Sequence, residues 1–298
     1  MHARGLVLAV LVATSAARAG DAPAPWAGTL FAREAEDQPA PKPEKKGCGC
    51  SDPETRARHF KCFFHLLGHD FVRVFTAPAR WEKKDWWYAA AGVAGVGLLF
   101  VVDDNIRATV IHHDDRFQDD VASTVQPLGT WASFIVIGGF TFGGLAAHDD
   151  KAYGAGIDAL SASAISGLVI VPVMKKVIGR FRPNAGYGPY HFEPFKHGPS
   201  FPSGHAAQAF TVASVIATEY PNRWVKFGCY FPASLVLFAR VRHDAHWASD
   251  VVAGALIGYG TGREVARTNL AEREGRPKVR LVPTVTPRGP AIMLAVRL

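Results

Sequence analysis

Residues 200–217 read SFPSGHAAQAFTVASVIA, and the way this stretch divides decides the fold. Ala206–Ala217 holds good helix formers and shows no strand-like alternation. Ser203 is a natural N-cap for that helix, and Gly204 lets backbone approach a ligand closely. Free N–H groups at a helix start bind phosphate oxygens, which sets His205 beside an anion. An ordinary Ser cap with an incidental His fits the same residues, so this stretch alone does not fix a function.

Two further blocks flank it. Upstream lies KKVIGRFRP, residues 175–183. Lys175 and Arg182 are seven apart, nearly two helical turns, so the spacing predicts one face of a helix that Pro183 ends. A basic helix end that merely complements the macrodipole is the plain alternative. Downstream lies ARVRHDAHWASD, residues 239–250. His246 and Asp250 are four apart and share a helical face. A carboxylate beside a histidine fixes one tautomer and supports a charged or phosphorylated ring. Arg240 is out of phase with His246, which predicts a break near His243-Asp244. A solvated His–Asp pair is the alternative here.

The conjunction favours phosphate chemistry. Phosphoryl transfer needs mostly positioning and cationic stabilisation. Three cations and a helix N-terminus supply both. One histidine attacks phosphorus while the other protonates the leaving oxygen. The design requires no metal and no other cofactor.

These blocks resemble the superfamily of type 2 phosphatidic acid phosphatases, bacterial class A acid phosphatases and vanadium haloperoxidases. The family pattern is K-x6-RP, PSGH and SR-x5-H-x3-D. Here it reads Lys175-x6-Arg182-Pro183, then Pro202-Ser203-Gly204-His205, then Ala239-Arg240-x5-His246-x3-Asp250. Ala239 replaces the usual Ser, at the expense of one hydrogen bond near the phosphate. The resemblance implies an all-α, six-helix bundle. It implies His246 as nucleophile forming a phosphohistidine, Asp250 as its orienting carboxylate, and His205 as proton donor to the leaving alcohol. Lys175, Arg182, Ser203, Gly204 and Arg240 would bind the phosphate. Tyr187, His191, Lys196 and His197 lie between the first two blocks, either at the mouth of the site or in a solvated loop.

Around this core, 298 residues allow one sizeable domain plus tails. Residues 1–19 look like a secretory signal, with an apolar run from Leu6 to Ala13 and Ala17-Arg18-Ala19 as cleavage site. Residues 20–58 are rich in Pro, Ala and charge and read as a disordered linker. Residues 59–85 read as an amphipathic surface helix, 86–267 as the bundle, and 268–298 as a tail. In that tail two β-prone runs around Pro287–Pro290 predict a short hairpin. Six helical runs are expected: Trp86–Val102, Trp131–Ala147, Gly154–Met174, Ala206–Tyr220, Trp224–Arg240 and His246–Gly262. Asp103, Asp104, Asp114, Asp115, Asp119 and Asp120 read as an acidic solvated loop. Export permits disulfides, with three connectivities among Cys48, Cys50, Cys62 and Cys229; Cys229, in an apolar run, reads as a buried free thiol.

The net charge of +7 suggests an anionic partner, but no nucleic-acid motif appears. The expected partner is a phosphorylated small molecule or a phospholipid, with membrane association. The Trp86-Trp87-Tyr88 cluster resembles an interfacial belt, whereas a mean hydropathy of +0.05 is modest for a membrane protein. The expected location is the periplasm or the envelope membrane, with the site facing outward. The expected activity is metal-independent hydrolysis of phosphate monoesters or lipid (di)phosphates. A vanadium-dependent haloperoxidase and a non-enzymatic phosphate-binding envelope protein are the alternatives.

Overall fold

The apolar runs become helices. The computed structural model describes residues 7–10, 59–111, 116–196, 198–274, 279–286 and 289–297. Helix α1 (His59–Thr76) leads through a 3-10 turn to α2 (Lys83–Ile111). Helix α3 (Arg116–Val125) and the 3-10 turn Gln126–Gly129 precede α4 (Trp131–Ala147). Helix α5 (Asp150–Ala164) runs through a π-helical segment, Ile165–Ile170, into α6 (Val171–Ile178). After a long loop come α7 (Gly204–Glu219), α8 (Arg223–Arg242) and α9 (Ala248–Arg273). Capping is local: Asp149 accepts the N–H groups of Lys151 and Ala152 to open α5, and Asn222 accepts that of Trp224 to open α8.

Helix α7 is the centre of the bundle, and most of its residues are buried. Val212, Val215 and Ile216 pack with Ile137 of α4, Ala159 and Ala162 of α5, and Val265 of α9. On α9, Gly254, Gly258 and Gly262 recur every four residues and form one stripe. A Cβ at these positions would collide with the carbonyl oxygens of Ser203, Ala207 and Thr211. The two backbones therefore touch, and the starts of α7 and α9 are fixed side by side.

Two expectations are corrected. The acidic loop is largely helix: α2 continues to Ile111, α3 carries Asp119 and Asp120, and Asp103 is 1% exposed. Asp114 and Asp115 lie outside the described residues. The helix bearing Lys175 stops at Ile178 rather than Pro183, because Gly179 adopts φ +63 and its N–H bonds back to the Lys175 carbonyl. The predicted break after Arg240 occurs where expected, with Asp244 at φ +52. In α1, Asp70 is buried and accepts bonds from Ser161 Oγ (2.6 Å) and Asn269 Nδ2 (3.3 Å), while Phe64, Val72 and Phe75 are exposed.

Two helices, Lys83–Ile111 and Asp150–Ile178, are long and apolar enough to cross a membrane. The bent pair Arg116–Gly129 and Trp131–Ala147, at 51°, adds a third when taken as one broken span. In the apolar window of α2 only 11% is buried within the protein, against 44% for Asp150–Ile178. That leaves most of α2 free for lipid.

The described strands fall in a second unit. In it β1 (Val7–Val10), β2 (Val279–Thr286) and β3 (Gly289–Arg297) make an antiparallel sheet in the order β1-β3-β2. The pair Thr286 and Gly289 closes the expected C-terminal hairpin. Strand β1 falls within the run expected as a secretory signal; the 20–58 stretch lies outside the described residues.

Candidate active site

Backbone geometry brings the three blocks together. Ser203 is the N-cap of α7, and its N–H donates to the Asp250 carbonyl at 2.9 Å. The N–H groups of Ala245 and His246 both reach the Arg240 carbonyl, at 3.1 and 3.3 Å. His246 thus sits in the tight turn between α8 and α9, not on a helical face. Asp250, in the first turn of α9, reaches back to the Trp247 N–H at 3.0 Å, as the inner residue of a capping box does. Gly129 backs onto His205, where a side chain would meet the His205 Cβ at 2.8 Å.

The loop 179–203 doubles back on itself. Arg180 bridges Phe192 on one side and Pro199 on the other. Phe181 donates its N–H to His191 O (3.1 Å), and Ser200 to Arg180 O (3.0 Å). Arg182 follows in extended conformation. Lys175 Nζ donates to the Pro199 carbonyl across the same loop.

His246 is 2% exposed and Asp250 fully buried. Their closest approach is 3.7 Å, from Nδ1 to Oδ2. The Asp250 carboxylate already accepts Arg180 Nη1 (2.7 Å), Ser200 Oγ and the Trp247 N–H. Burial alone would raise its pKa; the His246 contact, Arg180 and Ser200 outweigh that and hold it below the usual carboxylate range. His205 is pushed down to about 4, by burial first and then by Arg240, His246, Arg182 and Lys175. His246 is also lowered to about 4, chiefly by burial, against the opposing pull of Asp250. Each cation and both histidines therefore lie within one another's field.

Four buried polar atoms here lack a protein hydrogen-bond partner: Arg182 Nε, Arg240 Nε, Ser203 Oγ and His246 Nδ1. Buried polar groups are normally satisfied. Three of these four are N–H or O–H donors beside cationic groups, a set suited to an anion with several oxygens. Ser203 makes no capping bond, so its hydroxyl remains available. Arg240 Nη1 is steadied by Gln126 Oε1 at 3.0 Å, which also faces His243 Nδ1 at 2.6 Å. Among the described residues no group of three or more His, Cys, Asp and Glu is placed to hold a metal.

All eight sequence-predicted site residues converge, whereas Tyr187, His191 and Lys196 stay in the outer loop. There Tyr187 stacks on His191 (4.7 Å) and both edge Phe181. His197 lies outside the described residues. Sequence reasoning missed Arg180, Asp103, Ser200, Ser249 and Gln126. Cys229 is a half-buried free thiol.

The bundle gathers cations, two histidines and a carboxylate at one helix junction, a donor set that suits an anion with several oxygens. Residues 156–273 match the family model of the PAP2 superfamily. Lipid A 1-phosphatase of Porphyromonas gingivalis is 32% identical over 174 residues, covering 57% of this chain and 35% of that protein. Undecaprenyl-diphosphatase of Sulfolobus acidocaldarius is 35% identical over 100 residues, covering 33% of this chain and 48% of that protein. The chain thus spans about a third to a half of the length of these curated relatives. The crystal structure of Aquifex aeolicus LpxE superposes with a TM-score of 0.45 at 22% identity, over 56% of this chain and 95% of the other.

Proposed function

We propose that this protein is a membrane-held phosphatase acting on lipid phosphates or diphosphates through a phosphohistidine. The observation that carries the reading is the set of orphaned donors, Arg182 Nε, Arg240 Nε and Ser203 Oγ, beside two histidines. His246 presents Nδ1 to Asp250, which leaves Nε2 to attack phosphorus. The P–O bond breaks, and the leaving oxygen takes its proton from His205. Lys175, Arg182 and Arg240, with Ser203 and Gly204, bind the phosphoryl oxygens, and water then releases phosphate from His246. A bound phosphate dianion raises the pKa of His205 and His246, which readies His205 as an acid. The helices of spanning length and the names of the relatives support a lipid substrate.

The test is phosphate release by the full chain in detergent, without added metal, beside His246→Ala. The panel holds an aryl phosphate, phosphatidic acid, a polyprenyl diphosphate and lipid A. Release abolished by the substitution, and strongest on a lipid, is expected. A folded protein that releases nothing from any of them refutes hydrolysis; halide-dependent peroxidation with vanadate would then replace it.

A further inference from the structure

We propose that Arg180, clamped by Asp103 of α2, is a positioning residue that sets the charge and orientation of Asp250 for His246. The inference rests on the His246 mechanism above. Arg180 is fully buried and every arm of its guanidinium is used. Nη1 donates to Asp250 Oδ1 (2.7 Å) and Ser249 Oγ (2.6 Å). Nη2 donates to Asp103 Oδ2 (2.8 Å), and Nε to the Pro189 carbonyl (2.9 Å). Its carbon centre lies 4.1 Å over the Phe100 ring. Asp103 also accepts the Ser249 N–H (2.9 Å) and Ser249 Oγ (2.6 Å), so it grips the residue just before Asp250.

Charge bookkeeping gives this arrangement its purpose. Two buried carboxylates share one buried guanidinium, which leaves one uncompensated negative charge. An unbalanced buried charge is costly on its own. It is useful where a positive charge is about to form. When Nε2 of His246 bonds to phosphorus and keeps its Nδ1 proton, the ring becomes cationic and the cluster neutral. Arg180 meanwhile holds Oδ1 of Asp250, so that Oδ2 is the oxygen facing the ring. The charged groups facing Asp250 are Arg180 from the loop, Asp103 beyond it on α2, His246, and Lys175 of α6; Arg240 of α8 faces His246.

The single changes have opposite signatures. Arg180→Met leaves two adjacent buried acids that share a proton, so the acid limb of the kcat–pH profile moves up. Asp103→Asn makes the cluster neutral, so kcat falls without that upward move. Each lowers kcat about 10- to 100-fold, by analogy with loss of the hydrogen-bond partner of a metal-bound histidine, with KM nearly unchanged. The double variant leaves Asp250 ionised with no neighbouring acid to share a proton, and recovers activity relative to Arg180→Met. Arg180→Lys, which keeps the cation, leaves the acid limb in place and carries the arginine test if Arg180→Met does not fold. Single variants with wild-type kcat and pH profile, or a double variant worse than either single, overturn the proposal. Wild type and His246→Ala run alongside: no turnover in wild type sinks the functional reading instead. The His246 ring is then titrated by 15N NMR, where Asp103→Asn lowers its midpoint; an unmoved midpoint overturns the positioning role.

Discussion

Replacing Gly258 by Ala tests whether the contact between α7 and α9 holds the two histidines in register. The added Cβ would lie 2.9 Å from Thr211 N and 3.0 Å from the Ala207 carbonyl carbon. Comfortable contact begins near ~3.5 Å, and the Ala207 oxygen is nearer still, so the helices must part by about 1 Å. His205 rides on α7, while His246 is tied to α9 through Trp247 and Asp250. A misplacement of about 1 Å between reacting groups costs on the order of 100-fold. Gly258→Ala should therefore lower kcat/KM about 100-fold and destabilise by about 1–3 kcal/mol, the range for overpacking. Gly260→Ala is the control, since a Cβ there meets nothing within 4 Å. Phosphate release and thermal unfolding in detergent read both effects. Equal behaviour of the two variants would refute the argument that backbone contact sets the site.

Acid sensitivity and Arg240 offer two more tests. His246 is held at about 4, below its unfolded value near 6.5, so its contribution to stability is complete above pH 6.5 and is lost as pH falls toward 4. The loss is roughly 3 kcal/mol; thermal unfolding at pH 7 and pH 4.5 should show a smaller drop for His246→Gln than for wild type. Gln126→Leu removes the acceptor that steadies Arg240. It should raise KM roughly tenfold, the value of one hydrogen bond to a charged group, and leave kcat within a few-fold; an unchanged KM argues against that role.

The helices were legible because their signals are local, as Ser203 before an apolar run marks the start of α7. The eight candidate site residues were singled out by their resemblance to a family pattern rather than by local geometry, and the four-residue spacing of His246 and Asp250 misled, since His246 lies in the turn before α9. Arg180 and Asp103 were not legible, since 77 residues separate them and only the tertiary fold pairs them. Asp103 beside Asp104, among further acids, reads as solvated in sequence; one helical residue later the neighbour points elsewhere. The early helix stop was readable in principle, since Gly179 after Lys175-Lys176 is a common helix ending, but Pro183 offered a stronger and misleading signal. The Gly254, Gly258 and Gly262 stripe likewise marks close helix approach without naming the helix it meets.

Helix α2 also works as a depth gauge. Its exposed Trp86, Trp87 and Tyr88 lie near one end, and Asp103, joined to Arg180, lies toward the other. From Trp87 to Asp103 is sixteen residues, about 24 Å of helix, against about 30 Å of hydrocarbon. With the aromatic collar at one headgroup layer, an α2 that crosses the bilayer sets the Arg180 cluster just beneath the opposite layer. For the lipid phosphate proposed as substrate, the headgroup would then lie close above the histidines, with its acyl chains still in the leaflet.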